Sequence, residues 1–530
     1  MLLQRCPCIT GNHEYSPDKL GFTREAITEK YAVIFERFGF EKKHLRNRPS
    51  QTANFLHRRV HVKKTGLFPR PPGIPLNELD KMFYWGEPLG SRPIVRTVFE
   101  FKGGHIDIQL LRQAYALEIK HRPVLNATLA ENPSGSGWDV RWMPRDFADE
   151  NLAVRLCDFS GLSAEAAEKK IRKIQFDPFM NYSACKALPF FMVLCPVPDG
   201  GQKLLAFSNH ALTDAYGVGL IFQELFTTYN HLAAGLAPDD SLYPDPGLSP
   251  LPLLPSSRVK RCIQVLGALA FIASQAIKTG FQVPAKLFSG ENSLSGATGA
   301  VQREMSQDWL SRYLVAAKRH GISFTVLFVA AQIQAIDRWK KARGETAGLI
   351  SIDVHQNLRM AEREFLELSN KFSTFVISTL PRHRIRPKDL LQHVRREQEK
   401  AQRRGIAQKL ICILWLLDSR IVAKKLPLWV MNLLFNNPKM GHSTQVTNLG
   451  RLWAGPDNST RITRLGDAEI SGCFMASLPS PAVGNFTSFL TFKNRLFLSF
   501  NYFNRTMTDA QAQQFVDLFE KALADLAECD

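Results

Sequence analysis

The chain has 530 residues, of which 45% are hydrophobic and 22% charged, close to the average for globular proteins. This composition excludes wholesale disorder, collagen and coiled coil, and the length predicts either several domains or two large ones. Lys and Arg number 67 against 49 Asp and Glu, so the net charge is +18 and favours an anionic partner: a coenzyme A or carrier-protein phosphate, an anionic membrane or nucleic acid.

Cysteine usage and the N-terminus predict a cytoplasmic protein. The nine cysteines are an odd number and no C-x-x-C pair occurs, so we expect reduced thiols and not a disulfide framework. The N-terminus has no apolar stretch long enough for a signal peptide. No run reaches the roughly 18 apolar residues of a spanning helix. We therefore expect a cytoplasmic chain that meets a membrane, if at all, at its surface.

Residues 1–73 are predicted to form a separate basic leader. Eight Lys and Arg with almost no acidic residues lie between Lys42 and Lys64, and several prolines between Pro69 and Pro75 close the segment. Two interpretations stay open: a solvated arm, or an arm that binds a membrane or a partner.

Residues 74–255 are predicted to form a first lobe. Gly103 and Gly104 turn a strand towards a helix that Asp107 caps. A later strand ends at Asn209 and a helix follows to about Ala234. The capped helix is Ile108–Ile119. The predicted strands are Val95–Phe101, a pair around 138–142, Phe190–Pro196 and Lys203–Asn209. Six prolines between Pro238 and Ser257 exclude a helix or a central strand and mark a boundary.

Residues 256–290 are predicted to be a linker with an apolar helix. The stretch Cys262–Ile277 is flanked by Arg258, Lys260 and Arg261 before it and Lys278 after it. A second apolar stretch, Leu410–Leu417, is followed by Lys424 and Lys425. Two interpretations stay open for both: a buried core helix, or a helix in a membrane interface.

Residues 291–530 are predicted to form a second lobe of similar size and plan. Thr508 caps a clear amphipathic helix at the end of the chain. The other predicted elements are helices at 308–318 and 324–339 and strands at Leu349–Val354, Thr374–Leu380, Ser443–Thr447, Ser488–Thr491 and Leu496–Tyr502. Each unit thus alternates strands with helices around a sheet, which predicts an α/β (α+β) fold of two like lobes.

The segment around His210 is the sharpest chemical feature of the sequence. His210 follows a strand directly and Asp214 comes four residues later, at the start of a helix. Ends of strands that open into helices commonly display active groups. A histidine can act as general base near neutral pH, and Asp214 is suited to hold the loop or to pair with an arginine.

The motif N-H-A-L-T-D-A-Y-G, residues 209–217, resembles the H-H-x-x-x-D-G motif of the CoA-dependent acyltransferase superfamily. That superfamily includes peptide-synthetase condensation domains, wax-ester synthase/diacylglycerol acyltransferases, alcohol acetyltransferases and polyketide-associated acyltransferases. Further segments resemble the family in chain order: I-P-L-N-E-L-D-K-M-F, H-R-P-V-L-N-A, L-I-S-I-D-V-H-Q-N-L-R, Q-V-T-N-L-G and F-N-R-T-M-T-D-A-Q. The resemblance covers most of residues 74–530 but not the leader.

The resemblance implies two chloramphenicol-acetyltransferase-like lobes with a tunnel between them. His210 matches the catalytic histidine, and Asp214 the aspartate that holds the loop. Arg359 matches the arginine that pairs with this aspartate, although a strand-end surface arginine is an equal interpretation. Asn448 and Gly450 match the "S-N-L-G" crossover strand and, like Arg359 and Asn209, are expected to support the site.

The match departs from the family pattern at two positions. Asn209 replaces the first histidine of the motif, which active relatives tolerate. Ala215 replaces the glycine after the aspartate, and we expect it to narrow the tunnel or shift the loop.

The predicted activity is transfer of an acyl group from acyl-CoA or an acyl-carrier protein to an alcohol or amine, possibly lipidic, acceptor. His210 takes the acceptor proton, and nearby donors stabilise the oxyanion. No metal or redox cofactor is needed. A second hypothesis is a catalytically inactive, condensation-like protein that binds a carrier protein, a lipid or a partner, with Ala215 as its main support. A nucleic-acid partner is not favoured, because aromatic residues do not interleave with the basic ones outside the leader.

Overall fold

The computed structural model describes residues 73–87, 94–131, 140–145, 153–176, 188–238, 243, 253–287, 298–360, 362–418, 441–455 and 459–529. All of them belong to the unit Pro71–Asp530. The predicted leader lies outside the described residues except for Gly73.

The strands are, in chain order, β1 (Ile74–Pro75), β2 (Ile94–Lys102), β3 (Ala127–Glu131), β4 (Val140–Pro144), β5 (Val154–Leu156), β6 (Phe190–Pro196), β7 (Gln202–Asn209), β8 (Thr298–Met305), β9 (Ile350–Asn357), β10 (Phe372–Thr379), β11 (Thr444–Arg451), β12 (Arg464–Leu465), β13 (Ala468–Ser477), β14 (Asn485–Phe492) and β15 (Arg495–Phe503). They form three sheets within the described part of the chain. The first large sheet has the order β12-β13-β2-β7-β6-β5, and the second β10-β9-β11-β14-β15-β8. A small sheet has the order β1-β4-β3.

The helices are, in chain order, α1 (Glu78–Gly86), α2 (Ile108–His121), α3 (Ala164–Phe176), α4 (Ala215–Ala233), α5 (Arg258–Lys278), α6 (Gln307–Arg319), α7 (Phe324–Lys341), α8 (Pro387–Arg403), α9 (Ile406–Asp418) and α10 (Asp509–Glu528). Short polar side chains begin several of them, as their sequences predict. Asp107 caps α2 and Thr508 caps α10. Asp214 caps α4 and so ties the start of that helix to the loop before it.

The first lobe packs α2 and α4 against the first large sheet. β2 and β7 pair from Ile94 opposite Asn209 to Phe101 opposite Gln202. Phe99 of β2 meets Phe222 of α4 edge-on, with ring centroids 4.7 Å apart. The end of β7 is therefore held between a buried sheet and a buried helix, which positions the residues after Asn209.

The second lobe packs α7 and α10 against the second large sheet. Phe328 of α7 stacks on Phe489 of β14 at 4.0 Å and meets Phe519 of α10 at 4.6 Å. The helices predicted at 308–318 and 324–339 are α6 and α7. By length and composition no single described helix could span a membrane; only the pair α6 and α7, bent by 97°, passes that test jointly.

The predicted crossover strand was assigned to the wrong segment. β11, which carries Asn448 and Gly450, stays inside the second sheet, where Val446 pairs with Val354 on one side and Thr487 on the other. The chain returns to the first sheet with β12 and β13, and in β13 Phe474 lies opposite Val98 of β2. Most of β13 is buried in the middle of the molecule, so its sequence lacks the alternation that marks a half-exposed strand.

The two apolar stretches have opposite environments. In α9, Ile411, Cys412 and Leu414 are buried, so the core interpretation holds for the described part of that stretch. In α5 only Val265 and Ala268 are buried, so a buried core helix is the wrong interpretation there. Helix α8 and strand β8 were not predicted from the sequence.

Candidate active site

A cavity of about 680 Å³ lies between the two lobes. The loop from β7 to α4 borders it on one side, and strands β9, β10 and β11 border it on the other. Its apolar lining includes Met82, Phe83, Val95, Phe372, Leu414, Met475, Leu478 and Phe486, and its polar lining includes His210, Asp214, Asp353, His355, Arg359, Gln445 and Asn448. Five of the predicted site residues therefore line this cavity, namely His210, Asp214, Arg359, Asn448 and Gly450, while Asn209 lies just before His210 and is not part of the lining.

A tight turn presents His210 to this cavity. Asn209, the last residue of β7, accepts a hydrogen bond from the main-chain N–H of Ala211 through Oδ1 at 2.7 Å. Its carbonyl oxygen accepts another from the N–H of Leu212 at 2.9 Å. Asn209 therefore shapes the turn at the position where the family motif it resembles has its first histidine.

His210 is held between two phenylalanine rings. Its imidazole stacks on Phe83 with centroids 4.0 Å apart and a 14° interplanar angle, and it lies 5.6 Å from Phe372. The residue is 8% exposed. Burial lowers the pKa of His210 to about 4, although the Asp214 carboxylate acts in the opposite direction. The ring is therefore neutral at pH 7.

Asn370 sets the tautomer of that neutral ring. Its Nδ2 donates to the carbonyl oxygen of His210 at 2.6 Å and to Oδ1 of Asp80 at 2.7 Å. These two acceptors leave Oδ1 of Asn370 facing Nδ1 of His210 at 3.0 Å. Because an amide oxygen only accepts, Nδ1 carries the proton and Nε2 carries the lone pair. No described residue hydrogen-bonds to Nε2.

Helix α1 anchors Asn370. Asp80 Oδ1 also accepts from the main-chain N–H of Asn370 at 3.0 Å, and Nδ2 of Asn77 donates to the carbonyl oxygen of Asn370 at 2.9 Å. Burial raises the pKa of Asp80 to about 7, although its hydrogen bonds with Asn370 and Asn77 act in the opposite direction. Sequence reasoning missed both Asn370 and Asp80. The N-x-x-D capping pattern of α1 was visible, but nothing near Asn370 in the sequence points to it.

The structure brings Asp214 and Arg359 together across the two lobes. The guanidinium donates from Nη1 to Oδ2 at 2.8 Å and from Nη2 to Oδ1 at 3.1 Å. The carboxylate also accepts from the main-chain N–H groups of Gly217 and Lys371 at 3.0 and 2.8 Å. Burial alone would raise the pKa of Asp214, but the Arg359 charge and these hydrogen bonds lower it. Asp214 is therefore an ionised structural anchor.

Arg359 is buried and is not a solvent-exposed strand-end arginine. It is 5% exposed, and Nη2 donates to the carbonyl oxygen of Ser369 at 2.9 Å. Its Nε donates to the carbonyl oxygen of Glu364 at 3.1 Å. The guanidinium also lies over the ring of Tyr216 at 4.6 Å. Arg359 thus fixes the second lobe against the loop that carries His210.

The close approach expected of a glycine after Asp214 occurs two residues later. A Cβ on Gly217 would collide with Oγ1 of Thr213 and lie 2.9 Å from the carbonyl oxygen of Leu368. Ala215 is the first residue of α4 and lines the cavity. The turn, the cap and the Asp214–Arg359 pair all form with alanine at 215.

Asn448 and Gly450 line the cavity but do not touch His210. Nδ2 of Asn448 donates to Oγ1 of Thr325 at 2.9 Å, and Oδ1 accepts from the N–H of Gly450. Gly450 has φ +75°, where β11 bulges. Both residues are exposed, so they shape an open part of the cavity wall.

A second polar group lies on the β9 side of the cavity. Gln445 donates to Oδ2 of Asp353 at 3.0 Å, and Nε2 of His355 lies 3.8 Å from the same oxygen. Oδ1 of Asp353 is buried without a hydrogen-bond partner among the described residues. Burial lowers the pKa of His355. Sequence reasoning did not single out these residues, although Asp353 and His355 lie within the segment that resembles the family.

No family model and no curated protein matches the sequence. Solved structures do match the fold. One is the first condensation domain of the CDA synthetase, at 14% identity over 85% of this chain and 95% of that chain, with a TM-score of 0.58. A mutant starter condensation domain of rhizomide synthetase in complex with C8-CoA and Leu-SNAC matches at 13% identity over 86% and 95%, with a TM-score of 0.60.

A third structural match is a trichothecene 15-O-acetyltransferase from Fusarium sporotrichioides. It is 11% identical over 85% of this chain and 94% of that chain, with a TM-score of 0.61. At such identities the matches establish the fold. The predicted class of mixed helices and sheets in two lobes, with a space between them, is therefore confirmed.

Proposed function

From the premise that this chain has the fold of the CoA-dependent acyltransferase superfamily, we propose that it is an acyltransferase with His210 as its general base. The donor is an acyl thioester, acyl-CoA or an acyl-carrier protein, and the acceptor is an alcohol or an amine. The observation that carries this proposal is the state of His210 in the cavity. The ring is neutral, Asn370 holds the proton on Nδ1, and Nε2 is left to accept one.

The residues support a direct transfer. Nε2 of His210 takes the proton from the acceptor O–H or N–H while the acceptor atom attacks the thioester carbonyl. The tetrahedral intermediate then expels the thiolate, which receives the proton from the imidazolium. Burial disfavours a lasting imidazolium, so passing the proton on within the same reaction suits this site.

The cavity walls support an apolar substrate with a polar reacting end. Rings and thioethers such as Phe83, Phe486 and Met475 supply the apolar surface. The unpartnered Oδ1 of Asp353 suits an acceptor that donates an O–H or N–H hydrogen bond. We therefore place the acceptor on the Asp353 side and expect a lipidic chain in one of the two substrates.

The alternative of a catalytically inactive binding protein rested on Ala215. In the structure the loop keeps its turn, its helix cap and its interlobe ion pair with alanine at that position. No contact of Ala215 therefore favours the inactive alternative.

The test is an acyl-transfer screen with the purified full-length protein. Acyl-CoAs of increasing chain length are incubated with pooled alcohols and amines, while free thiol and product mass are followed. Acceptor-dependent thiol release with a matching ester or amide mass supports the proposal. If folded protein releases no thiol from acyl-CoAs or from acyl-carrier proteins, the proposal is wrong.

A further inference from the structure

Helix α5 presents an apolar face that no described residue covers. Four of its large apolar side chains are between 61% and 70% exposed. Six exposed apolar residues repeat every three or four positions and so lie in one stripe: Val259, Ile263, Leu266, Ala270, Ala273 and Ile277. Leu269 and Ile272, outside this series, are also more than 45% exposed. At 21 residues the helix is about 30 Å long, so the stripe is an extended surface.

The opposite face of α5 fixes the helix to the protein. Val265 packs in one apolar cluster with Ile411, Cys412 and Leu414 of α9. Arg261 lies over the ring of Trp415 at 5.9 Å and donates from Nε to a main-chain carbonyl oxygen. The exposed stripe is therefore held in place from behind, and exposure is not the result of a detached helix.

The charged residues of α5 itself all have one sign. Helix α5 contains four basic residues and no acidic one. Arg258 and Lys260 at its start and Lys278 at its end are exposed. Repulsion from the neighbouring Lys278 ammonium lowers the pKa of Lys400 in α8, although the Glu397 carboxylate acts in the opposite direction. An anionic surface would relieve this repulsion.

We propose that α5 lies in the interface of an anionic lipid bilayer, with its apolar stripe among the acyl chains and its basic residues at the headgroups. An apolar stripe with basic borders and no acidic residue matches that surface in both polarity and charge. A second copy of the chain, paired through the same face about a two-fold axis, would set these basic borders against each other.

This placement also relates the membrane surface to the cavity. The apolar cluster behind α5 contains Leu414 and is joined by Phe83, and both residues line the cavity. The cluster on which α5 packs therefore also forms part of the cavity wall. That proximity suits a substrate with a lipid chain, although binding of α5 to a membrane does not depend on catalysis.

The test is co-sedimentation of the full-length protein with phosphatidylcholine vesicles with and without phosphatidylserine. The test variant is Ile263→Glu with Leu266→Glu. The matched control is Leu314→Glu with Val315→Glu in α6, since both are exposed apolar residues outside the stripe and the charge change is the same. Circular dichroism and thermal unfolding verify that both variants fold.

Wild-type protein and the α6 control are expected to bind vesicles that contain phosphatidylserine, and the α5 variant to bind roughly tenfold more weakly or worse. Replacing Arg258, Lys260 and Lys278 by Gln is expected to weaken binding to anionic vesicles only. Equal binding of the α5 variant and wild type, or no binding of wild type, overturns the proposal. A dimer that the α5 variant dissociates, without vesicle binding, also overturns it and points to a second copy. His210→Ala is expected to bind vesicles like wild type. A failure of membrane binding is therefore distinguishable from a failure of the proposed acyl transfer.

Discussion

Oδ1 of Asn370 faces Nδ1 of His210 at 3.0 Å, across 160 residues of sequence. The amide cannot turn around, because its Nδ2 already donates to Asp80 and to the carbonyl oxygen of His210. Asn370 is therefore a positioning residue: it fixes which imidazole nitrogen holds the proton, and it does so from the other lobe.

Replacing Asn370 by Ala is expected to lower kcat by roughly 10- to 100-fold. This loss is no larger than the smallest loss expected when the general base itself is removed. The ring would lose its tautomer control while both substrates still bind, so KM should change little. Asn485→Ala is the matched control, because Asn485 is equally buried but donates its hydrogen bonds to the carbonyl oxygens of Ser443 and Val483 and not to His210. A kcat loss of the same size in both variants would show a structural effect only.

The acid limb of the kcat/KM profile is expected near pH 4, well below the usual histidine pKa of about 6.5. Burial disfavours the imidazolium, so His210 stays neutral and able to accept a proton until the pH falls to that region. The profile is measured with pre-equilibrated enzyme, and unfolding is checked at each pH. A limb near pH 6.5 in folded enzyme would contradict the buried, neutral His210 described above.

Arg359→Ala is expected to destabilise the protein by roughly 3–5 kcal/mol, because it leaves the buried Asp214 carboxylate without its partner. Denaturant unfolding measures the change. Arg172→Ala is the control, since its ion pair with Asp509 is exposed and should contribute at most about 1 kcal/mol.

The ion pair between Asp214 and Arg359 also predicts how the stability of the protein depends on pH. The pKa of Asp214 is lowered in the fold, so its contribution is complete above the unfolded carboxyl pKa of about 4 and is lost as the pH falls through the lowered value. Wild type should therefore lose stability more steeply below about pH 4 than Arg359→Ala does. Parallel curves for the two proteins would show that the ion pair contributes nothing.

Gly217→Ala and Ala215→Gly test where the loop needs glycine. A Cβ at 217 meets Thr213 and Leu368, so this variant is expected to lose activity and stability together. Ala215→Gly restores the glycine of the family motif, and it should cost at most about 1 kcal/mol and leave kcat nearly unchanged. A large gain of activity in Ala215→Gly would show instead that alanine obstructs the site.

Local patterns predicted much of the fold and the centre of the site. The strand ending at Asn209, the cap at Asp214 and the helix behind it are contiguous, so their spacing alone indicates the turn that presents His210. Arg359 is 145 residues away and was found only because its segment resembles a family motif. Asn370 lies outside the segments that resemble the family, and Asp80 lies within one of them but was not singled out. Their contact is created by the packing of α1 against the start of β10.

One open alternative and one wrong assignment have physical causes. An apolar stripe is the same sequence pattern whether a protein core or a lipid surface covers it, so α5 could not be placed from its residues alone. Strand β13 crosses the middle of the molecule with both faces covered, so it carries no alternation to identify it, and the neighbouring β11 was taken for the crossover.

The most direct test of the central claim is the rate of acceptor-dependent thiol release by wild type and His210→Ala, measured with the same acyl thioester and acceptor. The account predicts that His210→Ala folds and binds the thioester but transfers the acyl group roughly 10²- to 10⁴-fold more slowly. Equal rates in the two proteins would contradict a general base at His210.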